Sequence, residues 1–171
     1  GTLLHHIGKI SEILIFLIAA MTIVEIIDLH RGFDVIKNLV KTRNKVKLLW
    51  ITGIIAFILS AIIDNLTTSI VMVTLLRKLI DDRNERLWFV SLIIIAANAG
   101  GAWSPIGDVT TTMLWIGKKV SSEGLLKYLI LPSIICFALP YFIASFLPIF
   151  KGNIAIKTGH ESQDIKLLSS K

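Results

Sequence analysis

Cysteine is nearly absent from the 171 residues. Cys136 stands alone, so neither a disulfide scaffold nor a cysteine-based zinc site is available. Charge is scarce as well: Asp, Glu, Lys and Arg make up 18% of the chain, against about 25% in a soluble domain. Hydrophobic residues reach 54%, which excludes a soluble enzyme with one large core, and equally a disordered or coiled-coil chain. His5, His6, His30 and His160 lie scattered outside the apolar runs, none paired at metal-ligand spacing. No charged n-region with a cleavage site precedes the first apolar run, and the first residue is Gly1, as expected of a piece of a longer protein.

What is there is apolar and segmented. Residues 10–27 form one run, with Glu12 and Glu25 near its ends. A basic stretch, 28–47, follows with Phe33, Ile36, Val40 and Val46 at the spacing of a surface-lying amphipathic helix. Residues 48–80 are apolar except at 64–69, and residues 87–116 are apolar except at 98–108. Residues 125–150 make a last span, with Pro132 and Pro140 expected to kink it. The tail, 151–171, is polar and expected to be disordered. Trp50, Trp88 and Trp115 are placed as interfacial belt residues, with Trp103 inside the second interruption.

Length decides how the interrupted segments sit. As one straight helix, residues 48–80 would reach roughly 50 Å at 1.5 Å per residue, and the hydrocarbon layer is only about 30 Å thick. Each segment is therefore two shorter arms, either a re-entrant hairpin or a broken crossing. The net charge of +6 chooses between them. No aromatic-interleaved patch suits nucleic acid, so the basic residues are read as orientation signals that gather on the cytoplasmic side. With 48–80 a hairpin and 87–116 a broken crossing, 14 of the 18 Lys and Arg fall inside and 4 outside. The expected fold is an all-α membrane protein with one re-entrant hairpin and one discontinuous helix.

Only Asp64 and Asp108 among the acidic residues lie well inside apolar segments. A charge near the bilayer centre costs at least about 2.5–3.5 kcal/mol, so it implies a partner or a wet cavity. The plain alternative is that each aspartate caps a half-helix. Both sit in polar clusters, however, where unwound backbone needs protein or a cavity to satisfy it. Asp64, Asn65, Thr67 and Thr68 offer one set of hard oxygens, and Asn98, Asp108, Thr110 and Thr111 a facing set suited to Na⁺. Thr67, Thr68, Thr111 and Thr112 each have an equal claim to a helix back-bond. Ser60 has a coordinating or a packing role. Gly100, Gly101 and Gly107 are expected to supply backbone conformations barred to other residues, whereas Gly53, mid-arm, should accept alanine.

Ala19-Ala20-Met21-Thr22-Ile23-Val24-Glu25, Ser60-Ala61-Ile62-Ile63-Asp64-Asn65-Leu66-Thr67-Thr68 and the run from Ala97-Asn98-Ala99-Gly100-Gly101-Ala102-Trp103 through Ser104-Pro105-Ile106-Gly107-Asp108 to Val109-Thr110-Thr111-Thr112 resemble the NhaD-type sodium/proton antiporters. These belong to an ion-transporter superfamily that also holds arsenite and dicarboxylate carriers. The resemblance covers roughly residues 10–150. It implies the first half of an inverted-repeat transporter, whose second repeat, absent here, would complete the ion site. It also implies no enzymatic activity and no cofactor beyond the transported Na⁺ and H⁺. The expected partners are the lipid bilayer, the second repeat and, as a further option, a second copy in a homodimer. A bacterial inner membrane is the expected location.

The leading expectation is exchange of Na⁺, or Li⁺, for H⁺, because a carboxylate cannot hold a proton and ligate Na⁺ at once. Na⁺-coupled transport of an organic anion, or of arsenite, on the same scaffold is the alternative. Two aspartates and no mid-membrane Arg or Lys disfavour an anion. An intramembrane aspartyl protease also needs two aspartates, but there the second carries Gly-x-Gly-Asp, and here the residues are Pro105-Ile106-Gly107-Asp108. A purely structural subunit gives no reason for two costly polar breaks.

Overall fold

The computed structural model describes residues 42–154 continuously and, before them, a subset of positions between 7 and 30. The described positions from 7 to 29 are helical and exposed. The rest of the expected 10–27 span, most of the expected surface helix and the tail from 155 onward lie outside the described residues. Five α-helices follow: α1 (Lys45–Ile62), α2 (Asn65–Leu79), α3 (Arg83–Ala102), α4 (Val109–Ile116) and α5 (Ser122–Ser145), then a 3₁₀ turn, Pro148–Phe150. Among the described residues there is no β-strand, only one isolated bridge.

The polar residues that punctuate the chain act as helix starts. Asn44, Asp64, Asp82, Asp108 and Ser121 each accept a backbone N–H of the following first turn, the favoured N-cap arrangement. Asn44 shifts one boundary. Its side chain accepts from Lys47 N at 3.0 Å, so residues 45–47 form the first turn of α1 rather than the end of a surface helix. The last helix stops at Ser145, short of the expected 150, and Pro148 opens the 3₁₀ turn beyond it.

A few contacts set the directions. Lys45, at the start of α1, pairs with Glu85 in the first turn of α3, and Ser60, near the end of α1, donates to the Ala97 carbonyl near the end of α3. These two helices therefore run parallel. The connecting helix α2 leaves the end of α1 and delivers the chain to the start of α3, so it must fold back. Helix α5 opposes both: Phe137 meets Phe57 with ring centroids 5.1 Å apart, and Tyr141 meets Trp50 at 5.7 Å. Beyond α5, Phe150 closes on Phe89 at 5.0 Å. The short α4 therefore leaves on the far side, where α5 has to begin.

Among the described residues two helices, α1 and α5, are long and apolar enough to cross a membrane. The outer face of α5 is correspondingly greasy, with Leu131, Leu139, Phe142 and Phe146 each more than half exposed. An apolar face of that size suits lipid rather than water.

Three expectations are corrected. The tail is not free from residue 151: Lys45 N donates to Gly152 O at 3.1 Å and Ile154 N to Arg43 O at 2.9 Å, clasping residues 152–154 to the start of α1. Trp50 is no belt residue, because its ring packs on Phe137 and Tyr141 while its Nε1 donates to Ser145 Oγ at 3.0 Å. Gly53 has no room for a methyl, since a Cβ there would sit 2.1 Å from the Tyr141 ring. Gly53→Ala in the full-length protein should therefore lower stability by about 1–3 kcal/mol through overpacking, and Tyr141→Leu should relieve part of that loss. Thermal unfolding in detergent checks this, with Gly8→Ala, which meets nothing within 4 Å, as the control expected to be silent.

Candidate ion-binding site

The ends of α1 and α3 meet the starts of α2 and α4 at one place. Only Ile63 and Asp64 separate α1 from α2, and Asp64 has extended backbone, φ −179° and ψ 164°. Its Oδ1 accepts from Thr67 N at 2.7 Å and its Oδ2 from Thr67 Oγ1 at 2.6 Å. Across the cluster, Asp108 is extended as well, φ −145° and ψ 138°. Its Oδ1 accepts from both the N and the Oγ1 of Thr110, at 2.7 and 2.6 Å. Both aspartates are thus N-caps, the plain role the sequence allowed.

One residue ties the two interruptions together. Asn65 N donates to Gly107 O at 3.1 Å, and Asn65 Nδ2 donates to Asn98 Oδ1 at 3.0 Å and to Asp108 Oδ2 at 2.8 Å. Asn98 is held for this by its own Nδ2, which donates to Ile94 O at 2.8 Å and turns Oδ1 toward Asn65. The longer interruption is pinned from within. Thr111 Oγ1 lies 3.0 Å from Ser104 O, and Thr112 Oγ1 lies 2.9 Å from Pro105 O, each also reaching Asp108 O at 2.9 Å.

Small residues allow this convergence. A Cβ on Gly101 would lie 2.2 Å from Gly107 O, and one on Gly107 would lie 2.6 Å from Ser60 O. A Cβ on Gly100 would fall 2.0 Å from the Phe57 carbonyl oxygen. The expectation of unusual dihedrals is corrected here: among the described glycines only Gly152 has positive φ. These glycines serve close backbone approach instead.

Of the eight residues singled out from the sequence, Asn65, Asn98 and Asp108 bond directly and Thr110 joins through Asp108, whereas the Asp64 carboxylate bonds Thr67 and is linked to the others only along the chain to Asn65. The two carboxylates make no hydrogen bond to each other. Thr111 is buried and spends its hydroxyl on the break. Thr68 is fully buried, and its Oγ1 has no hydrogen-bond partner. Trp103 stacks on Phe57 at 6.4 Å and walls the longer break, its Nε1 buried and unpartnered. Two participants escaped the sequence reading: the buried Ser104, whose carbonyl receives Thr111, and the Gly107 carbonyl, which receives Asn65. The only signal for Ser104 was its place before Pro105, a turn-favouring pair.

Chemically this is a knot of oxygens without a basic group. No Lys or Arg occurs at 48–76 or 87–117. A carboxylate has about four lone-pair sites. Capping occupies two on Asp64, and capping plus Asn65 occupies three on Asp108. Both therefore retain acceptor capacity while still capping. Among the described residues no three His, Cys, Asp or Glu gather as a transition-metal site.

Interrupted helices that converge on such oxygens are the arrangement that membrane transporters build around their ion and substrate sites. The sequence model of the citrate transporter family, CitMHS, matches residues 5–166, and the chain belongs to that family. It is 50% identical to sodium/proton antiporter 1 of Arabidopsis thaliana over 141 residues, 82% of this chain and 24% of that protein. It is 39% identical to the Na⁺/H⁺ antiporter NhaD of Vibrio parahaemolyticus over 169 residues, 95% of this chain and 39% of that protein. Against NhaD of Vibrio cholerae the identity is 41% over 151 residues, 84% of this chain and 31% of that protein. The chain thus spans well under half the length of the relatives it matches. No solved structure matches it.

Because Thr112 bonds two carbonyls of the break, Thr112→Val should lower the stability of the full-length protein by about 1–3 kcal/mol, the cost of leaving buried acceptors unsatisfied. Thr74→Val removes a comparable bond, Thr74 Oγ1 to Ile70 O, on an exposed face and should cost less than about 0.5 kcal/mol. Thermal unfolding of the two variants side by side measures the difference; equal losses would mean that Thr112 does not secure the break.

Proposed function

We propose that the full-length protein of which this chain is a repeat exchanges Na⁺, or Li⁺, for H⁺. The observation that carries the proposal is the pair of aspartates capping the two half-helices that meet at Asn65. Deprotonated, Asp64 and Asp108 keep free lone pairs, and Asn98 Oδ1 with the hydroxyl oxygens of Thr67 and Thr110 add neutral ligands. The unpartnered Thr68 hydroxyl is available in the same way, while Thr111 holds the backbone of the second arm. A proton taken up by either carboxylate removes its negative charge and one lone pair, so Na⁺ and H⁺ exclude each other.

In this proposal α1 and α2 form a re-entrant hairpin whose tip is at Asp64, and α3 with α4 is a broken crossing. A second, inverted repeat covers the exposed Asn98 and Thr110 and supplies the remaining ligands. Movement of the paired tips against the α5 scaffold then exposes the site alternately. A bacterial inner membrane is the proposed setting, and a homodimer the proposed assembly.

The family's description favours a second reading, Na⁺-coupled transport of an organic anion. The positive ends of α2 and α4 would suit an anion. Those ends are already taken by Asp64 and Asp108, which would repel a carboxylate substrate, so the cation reading is preferred.

In everted vesicles carrying the full-length protein, Na⁺-induced dequenching of a pH dye should vanish in Asp64→Asn and in Asp108→Asn. It should persist with altered Na⁺ dependence in the Glu variants, and Thr67→Ala should chiefly weaken apparent Na⁺ affinity. Wild-type exchange by a well-inserted double Asn variant would refute the mechanism, and citrate-dependent Na⁺ uptake in its place would favour the second reading. Orientation has its own test. Cysteines placed at Arg43 and Asn84 in a Cys136→Ala background should both be shielded from an impermeant reagent added outside, and labelling of Asn84 alone would rule out the hairpin.

A further inference from the structure

The parallel course of α1 and α3 brings together basic residues far apart in sequence. Arg43 and Lys47 flank the start of α1, Arg77 and Lys78 occupy the last turn of α2, Arg83 opens α3, and Lys151 follows the 3₁₀ turn. All six are exposed, and among the described residues none of them makes an ion pair. The acidic groups of this end are committed elsewhere. Asp82 caps α3, Glu85 holds Lys45, and Asp81 is engaged as well. Among the described residues the far end carries three basic side chains, Lys118, Lys119 and Lys127. One turn into α3, Leu87 and Trp88 stand 53% and 49% exposed, an apolar step directly beneath the charge.

We infer that this end of the repeat is a docking surface for anionic phospholipid headgroups. The argument for lipid over another polyanion is placement. The charges gather at the end of the bundle where the membrane-length α1 begins and α5 has finished, beside the end of α2 and the start of α3, with an exposed tryptophan and leucine at the depth where acyl chains begin. Arg and Lys bond phosphate oxygens, Arg through two parallel N–H groups, while Leu87 and Trp88 rest against glycerol and the upper chain. Each basic side chain near an anionic surface is worth about a fivefold change in partition, so a group of three sets a preference on the order of a hundredfold. The inference needs only a membrane setting and is independent of which ion is carried.

The test is native mass spectrometry of the full-length protein released from micelles doped equally with phosphatidylglycerol and phosphatidylcholine. Wild type should retain phosphatidylglycerol in large excess. Arg77→Gln/Lys78→Gln/Arg83→Gln should lose most of that excess, whereas Lys118→Gln/Lys119→Gln/Lys127→Gln should keep it. Excess inorganic phosphate should displace little of the lipid. Equal retention of the two lipids by wild type, equal loss in the two triple variants, or full displacement by inorganic phosphate would each overturn the inference. Thermal unfolding of both variants in neutral detergent confirms that they are folded.

Discussion

A helix interrupted inside a bilayer frees amides and carbonyls that no water will satisfy, and Asn65 is where this chain answers that constraint. Its backbone amide takes the Gly107 carbonyl, and its side chain reaches Asn98 and Asp108. One residue of the first interruption thereby closes bonds in the second. The remaining freed groups are met locally: Asp64 and Asp108 take the first-turn amides, and Thr111 and Thr112 take the carbonyls of residues 104, 105 and 108. Without these bonds, two polar loops at this depth would cost several kcal/mol per unsatisfied group.

That arrangement shows the aspartates as caps, and the proposed exchange asks a second role of them. A carboxylate at a helix N-terminus is stabilised by the dipole and by the amides it accepts. The same bonds hold its remaining lone pairs in fixed directions, which is what a transient ligand for a small cation requires. In the proposed exchange, capping and ion binding are therefore not rivals at Asp64 and Asp108, because the cap preorganises the ligand. Packing reinforces this. Ser60, Gly101 and Gly107 bring backbones so close that a single methyl would push the tips apart.

The other end of the bundle is built on different forces. There the Lys45–Glu85 pair, the clasp between residues 43–45 and 152–154, and the aromatic stack of Trp50, Phe137 and Tyr141 join α1, α3 and α5. The tips meet through hydrogen bonds among short polar side chains, whereas the base is held by buried rings and main-chain pairing. The chain thus has a polar, hydrogen-bonded tip and a firmly packed, positively charged base.

Much of this was written in the sequence. Composition pointed to lipid, and the polar clusters at 64–69 and 98–108 flagged both interruptions but overstated their length: residues 65–69 and 98–102 are helical, and the chain leaves helix only at 63–64 and 103–108. Asp64, Asn65, Asn98 and Asp108 were legible because polar groups in apolar runs need an explanation. The charge split favoured a re-entrant hairpin over residues 48–80; the Lys45–Glu85 and Ser60–Ala97 contacts show α2 running back toward the start of α1, and the hairpin in a membrane stays part of the proposal. What tertiary structure alone decided depends on which surfaces meet. Periodicity carries no information on the partner of Gly53, and only the Tyr141 ring from α5 makes that glycine necessary. Trp50 reads as interfacial until a third helix covers it, and residues 152–154 read as tail until they pair with residues 43–45. Thr111 and Thr112 are alike in sequence to Thr110, yet they turn inward to the break while Thr110 stays exposed at the aspartate. Local residue chemistry determines where a helix starts and stops; the neighbour each face finds is a long-range property, settled only when the helices pack.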